Sequence, residues 1–125
     1  MYRVELGGRT IGETKLETAD PPMGVVGGRI EFQIDENPFE LIKRHCEESG
    51  ATINDFDSDL EYIDTQTIDD LRIYRADGRE IEGIAGGAFS GFREEGYYVT
   101  ILGVPYPFYA EEFPHHCDAY DNQFK

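Results

Sequence analysis

The sequence predicts an α+β fold: an antiparallel, strongly bent sheet or partial barrel of hairpins, one helix packed on its face over about 38–49, and a short C-terminal helix. Three observations lead there. Several short segments alternate apolar with polar residues, as half-buried strands do. Turn residues separate those segments. Only 38–49 combines helical spacing with signals at both ends. At 125 residues, one domain spanning 1–125 can bury a core without disulfide help.

Tyr2, Val4 and Leu6 alternate with Arg3 and Glu5, Gly7-Gly8 supplies a turn, and a second strand runs to about Leu16. Ala19-Asp20-Pro21-Pro22-Met23-Gly24 then forms a rigid loop, because two prolines remove two donors and fix φ. Val25-Val26 resumes the strand pattern, and Gly27-Gly28 is placed to bulge or bend it. Ile30, Phe32 and Ile34 share one face of a third strand.

The helix is written in its caps. Asn37 suits the N-cap, Pro38 the first helical position, Glu40 the capping-box register and Gly50 the stop. Phe39, Ile42 and Cys46 make one apolar stripe with Leu41 and His45 beside it; Lys43 and Arg44 lie opposite. His45 thus sits at the rim of the packed face.

Residues 51–70 alternate carboxylates with isolated apolar side chains. If the segment is extended, Asp55, Asp57, Asp59 and Glu61 line one face and Phe56, Ser58, Leu60 and Tyr62 the other; if it is looped, the acids scatter. The D-x-D-x-D spacing is not an EF-hand, since Leu60 replaces the required glycine and Gln66 the bidentate glutamate.

From Leu71 to Tyr109, Asp77-Gly78 predicts a two-residue type I′ hairpin and Glu95-Gly96 a second turn. Gly83, Gly86, Gly87 and Gly91 fit a curved sheet and match no dinucleotide fingerprint. The last strand is Tyr97 to Leu102. Pro114 opens a short helix that carries Cys117 and Tyr120 inward, with Phe124 one turn on. His115, His116 and Cys117 are adjacent, about 100° apart on a helix, so they do not converge on one ion. A thiolate pair of Cys46 with His115 or His116 is the remaining nucleophile arrangement.

The net charge of −15 is unevenly placed. Residues 1–44 carry eight acids and six bases, residues 72–125 nine acids and five bases, and residues 45–71 nine acids with no Lys or Arg. Such a field repels nucleic-acid phosphate and anionic lipid. It steers in basic proteins. Plain solvation by an acidic surface is the competing explanation. The opening MYRVEL has no apolar signal core, and no apolar run approaches twenty residues, so a soluble cytoplasmic protein with reduced cysteines is expected.

Ala19-Asp20-Pro21-Pro22-Met23-Gly24 near the start, with Gly103-Val104-Pro105-Tyr106-Pro107 and Phe113-Pro114-His115-His116 near the end, resembles a group of small uncharacterised bacterial proteins of similar length. The resemblance spans most of the chain and brings no catalytic motif. In style alone, a small acidic α+β chain is similar to immunity proteins that neutralise basic bacterial toxins.

These readings favour binding over catalysis. The leading expectation is an acidic protein-binding module, an immunity protein or inhibitor that blocks a basic toxin or enzyme. Its site would comprise Asp55, Phe56, Asp57, Asp59, Glu61, Tyr62, Asp64, Asp69 and Asp70, with Tyr106 or Tyr109 as further anchors. No cofactor or metal is expected. The alternative is a small enzyme or ligand-binding barrel using carboxylates in a Gly-lined cavity, recognisable by a pocket with at least two convergent polar groups. A homo-oligomer formed through the sheet edge is the third.

Overall fold

Most of the predicted alternation becomes pairing. A computed structural model describes residues 1–124 and contains β1 (Tyr2–Leu6), β2 (Arg9–Thr14), β3 (Thr18–Asp20), a 3-10 turn (Pro21–Met23), β4 (Val25–Phe32), α1 (Pro38–Ser49) and β5 (Ile53–Asp57). Then follow β6 (Tyr62–Thr65), β7 (Leu71–Tyr74), β8 (Gly86–Phe92), β9 (Gly96–Leu102), α2 (Phe108–Glu112) and α3 (Pro114–Asn122). The fold is α+β. All nine strands join one antiparallel sheet in the order β5-β6-β8-β9-β4-β2-β1-β7, with β3 also paired to β4.

The sheet curls without closing into a barrel. Its far strand, β7, is brought back towards β8 far enough that the Ile68 N–H donates to Gly87 O at 2.8 Å, yet no ladder joins the two strands. Much of the curvature enters between β2 and β3. Leu16 adopts a left-handed backbone (φ 47°) between them, and both strands pair with β4. Gly28 lies inside this bend, where a Cβ would stand 2.2 Å from Thr14 Oγ1 and 2.8 Å from Leu16 N. Glycine is required there because the Thr14 and Glu17 side chains and the Leu16 backbone already fill the side-chain position. The Glu17 carboxylate accepts from the Arg29 N–H at 3.1 Å, and His116 Nε2 is 2.7 Å from Leu16 O, so α3 ties down the bend.

Helix α1 has the expected bounds. Asn37 accepts from the Glu40 N–H at 3.0 Å, a cap that contributes about 1 kcal/mol. Gly50 ends the helix at φ 79°. Phe39, Ile42 and Cys46 are fully buried with Val4, Ile11, Ile63, Ile73, Phe89 and Val99 in the core. Each large side chain withdrawn from water in this way contributes roughly 1.5–3 kcal/mol. Phe89 and Tyr97 stack at 5.5 Å on the inner face of the β8–β9 ladder.

Four details differ from expectation. Thr18–Asp20 pairs with Val25–Gly27, so a strand occupies the start of what the prolines mark as a loop. At Asp77-Gly78 only Gly78 has positive φ (92°), so the turn is not type I′. The Gly78 N–H donates to Arg75 O and the Arg75 N–H to Arg79 O, closing a three-residue loop with a single bridge, Tyr74 to Glu80, beyond it. Helix α2 was not foreseen. Helix α3 begins at Pro114 as expected, but it buries no residue fully: Cys117 and Tyr120 are half-buried, and Phe124 is exposed against Tyr120.

No helix among the described residues is long and apolar enough to cross a membrane.

Candidate functional site

The acidic window forms a hairpin, and the hairpin redistributes its carboxylates. β5 ends at Asp57, a turn covers 58–61, and β6 returns. Asp55 and Asp57 keep one face, where their cross-strand partners are Asp64 and Tyr62. Asp59 and Glu61 leave that row for the turn, so the four-carboxylate face does not form.

Much of this charge also does local structural work. Asp55 Oδ1 accepts from the Phe56 N–H at 2.9 Å, and Asp57 Oδ1 accepts from the N–H groups of both Asp59 and Leu60. Asp64 accepts from Asn54 at 3.1 Å, which offsets some of the repulsion from Asp55 directly opposite. Glu61 holds a left-handed backbone at φ 49°. Three contacts stabilise it there: Asn37 donates to its carboxylate at 2.9 Å, the Tyr97 hydroxyl donates to its carbonyl at 2.6 Å, and Arg93 stands 3.9 Å from the carboxylate. Burial pushes the Tyr97 hydroxyl up to about 12, with the nearby Glu61 charge adding to it.

The tip of this hairpin meets the β8–β9 turn. The Arg93 N–H donates to Leu60 O, and its guanidinium reaches Asp59 O. One end of the sheet therefore gathers Asp55, Asp57, Asp59, Glu61, Asp64, Glu94 and Glu95, with Arg93, Arg29 over Gly96 and Lys43 over the Phe56 ring as the bases among them. Phe56 (47 % exposed) and Leu60 (56 %) stand out of it as apolar contacts. Tyr62 is half-buried on the other face of the hairpin, across from Asp57.

Asp69 and Asp70 are elsewhere. They follow the far end of β6, where His45 Nε2 lies 2.7 Å from Asp70 Oδ1 and the Gly7 N–H donates to Asp70 O at 3.0 Å. This pair fastens α1 to the segment before β7, a partner for His45 that no spacing rule reveals. Tyr109 cannot be an anchor: it is fully buried, and its hydroxyl donates to Val25 O at 2.8 Å. Tyr106 remains half exposed.

Neither cysteine forms a thiolate site with a histidine. Cys46 is fully buried, and burial, reinforced by the Asp70 and Glu47 charges, pushes its thiol up. His116 is engaged with Leu16 O, and Cys117 is a free thiol near the Tyr106 hydroxyl. Among the described residues, no group of three His, Cys, Asp or Glu side chains is placed to hold a metal ion.

A groove of about 280 Å³ opens along the seam between β7 and β8, lined in part by Asp69, Arg72, Glu80, Gly86 and Gly87. Arg72 donates to Glu80 at 3.0 Å, so two of its polar groups neutralise each other. Comparisons with protein-family models, curated proteins and solved structures gave no match.

Proposed function

We propose that this chain is a protein-binding module of the immunity or inhibitor type, docking the hairpin end of its sheet on a basic protein surface. The observation that carries the reading is the β5–β6 tip, which sets exposed Phe56 and Leu60 among Asp55, Asp57, Asp59 and Glu61. The carboxylates steer the encounter, and desolvation of the two apolar side chains with Tyr62 then slows dissociation. Asp69 and Asp70 lie outside this surface.

The test is a pull-down from host lysate at low and moderate salt, followed by association kinetics of the recovered partner with an Asp59→Lys, Glu95→Lys variant. Both side chains are exposed, so the fold tolerates the change. A stoichiometric basic partner whose association slows by about tenfold or more supports the reading. Unchanged kinetics in the variant removes this end from the interface.

The seam groove supports a second reading, a small-ligand site with Arg72 and Glu80 as its polar groups. A ligand there has to separate that pair. Loss of binding in Arg72→Ala with the hairpin variant unaffected would favour it.

A further inference from the structure

At the end opposite the hairpin, the β8–β9 ladder runs into three uncharged loops, 21–24, 83–85 and 103–107, with Met23, Ile84 and Tyr106 exposed on them. Backbone groups and one phenol bind this apolar end together. The Val104 N–H donates to Gly24 O at 2.8 Å, the Ile84 N–H to Gly103 O at 3.0 Å, and the Tyr106 hydroxyl to Pro21 O at 2.8 Å. Helix α2 is seated firmly beside it. Tyr109 and Phe113 are fully buried, and Tyr109 stacks on Tyr106 at 5.3 Å.

Helix α3 follows at once and is held quite differently. Phe113 separates it from α2 with a non-helical backbone (φ −122°, ψ 53°). None of its nine residues is fully buried, and it packs against β3, whose three residues are all exposed. A groove of about 370 Å³ lies between them, with Glu17, Ala19 and Asp20 on one wall and His116, Ala119 and Tyr120 on the other. α3 carries Asp118 and Asp121 and no Lys or Arg, so it brings no lysine or arginine to answer Glu17 and Asp20 across the gap. Cys117 is half-buried against the core and 4.0 Å from the Tyr106 hydroxyl, a weak contact. The strong tie is His116, whose Nε2 donates to Leu16 O at 2.7 Å.

We propose that α3 is a displaceable cover over β3 and the Leu16 corner, pivoting at Phe113. Few buried apolar contacts and a single strong tether place it at the low end of the stability range within one fold. β3 pairs only with β4, and β1 flanks β2 only as far as Tyr2 opposite Thr14, so the outer edge of β3 has no strand beside it. With α3 lifted, the Leu16 carbonyl loses its partner and that edge stands bare. A bare edge accepts an added strand from another chain. The seated helix is therefore an autoinhibitory contact, independent of the hairpin end.

A nine-residue helix has little stability away from its support, so lifting it is read directly in its amides. Native-state hydrogen exchange on the full chain, at rising urea below the unfolding midpoint, tests this. The amides of 118–122 should show protection about a hundredfold or more below that of β9, with a weaker urea dependence because the opening exposes little surface. β3 should share that opening. Ile42→Val, in the core far along the chain from α3, should lower β9 protection about fivefold and leave α3 unchanged. His116→Ala should lower the protection of α3 and β3 about fivefold, the worth of one hydrogen bond, and His116→Gln, which keeps an N–H donor, should restore most of it.

Equal losses in α3 and β9 on Ile42→Val overturn the proposal, since the helix then leaves only when the whole fold does. So does a His116→Ala chain in which β3 keeps its wild-type protection, because the helix then covers nothing.

Discussion

The two ends of the β8–β9 ladder use opposite means to hold their loops. At the hairpin end, carboxylates do the holding: Asp57 gathers two backbone N–H groups, and the Glu61 carboxylate accepts from Asn37. At the apolar end, backbone groups and one phenol do it, with no charged side chain among the loop residues. Charge in a loop therefore does not by itself mark a binding surface, since much of it here is committed to the turn it sits in. What singles out the hairpin end for the proposed docking role is the pair of exposed apolar side chains, Phe56 and Leu60, among its acids.

The largest expected effect tests the rigidity of the apolar end. Gly24 has φ 66°, and a Cβ there would stand 2.8 Å from Val104 O. Gly24→Ala combines left-handed strain with a backbone clash, and should cost about 3 kcal/mol, lowering the midpoint of thermal unfolding by about 10 °C. Gly50→Ala, also left-handed but with open space around it, should cost only about 1 kcal/mol. Equal losses in the two variants would mean that the loops yield, and that the end is not rigid.

A tyrosine beneath each end gives the next contrast. Tyr97 under the hairpin and Tyr109 under the apolar loops both have hydroxyls raised by burial to about 12 from an ordinary 10.0. A raised pKa in the folded state means stability is fully present below the unfolded value and is lost as pH rises through the folded one. Denaturation midpoints should therefore hold up to about pH 10 and fall towards about pH 12, by on the order of 1 kcal/mol per ring midway. Tyr97→Phe and Tyr109→Phe should each remove part of that fall. An alkaline loss unaltered in both variants would show that neither hydroxyl is shielded as described.

The smallest effect separates charge from capping at the hairpin. Asp57→Ala deletes the acceptor for two N–H groups and should cost about 1 kcal/mol, whereas Asp57→Asn keeps the acceptor and should stay within about 0.5 kcal/mol. Urea titration of both variants measures this. If Asn costs as much as Ala, the charge itself holds the turn.

The parts of the fold visible in the sequence are those specified by neighbours in the chain. Helix α1 is legible because Asn37, Pro38 and Gly50 fix its ends within fourteen residues, and the β1–β2 hairpin because Gly7-Gly8 separates two alternating runs. The β5–β6 turn is hidden, since Glu61 takes the left-handed position that glycine would advertise. Helix α2 is five residues between two prolines, too short for periodicity to register. Five of the seven acids of the hairpin end, Asp55, Asp57, Asp59, Glu61 and Asp64, are visible as composition, whereas Glu94 and Glu95 join them only through the fold, and the division between turn-holding and exposed roles needs hydrogen-bond partners. The segments Ala19–Gly24 and Gly103–Pro107 stand out singly in the sequence, but their meeting with Gly83–Ala85 does not, because the three loops are separated by some sixty and then twenty residues and no local rule brings them together.

The bend at Leu16 has a consequence for how the chain comes to be folded as it is made. Its carbonyl is held by His116, a residue one hundred positions downstream. During synthesis the β1–β2 hairpin can form as soon as its own turn emerges, while the sharp corner into β3, already held by Glu17 and by pairing with β4, gains its last hydrogen bond only when α3 has left the ribosome. Nascent chains halted before α3 should therefore protect the amides of β1 and β2 from exchange more strongly than those of β3, and release past α3 should narrow the difference. The last helix closes the first corner.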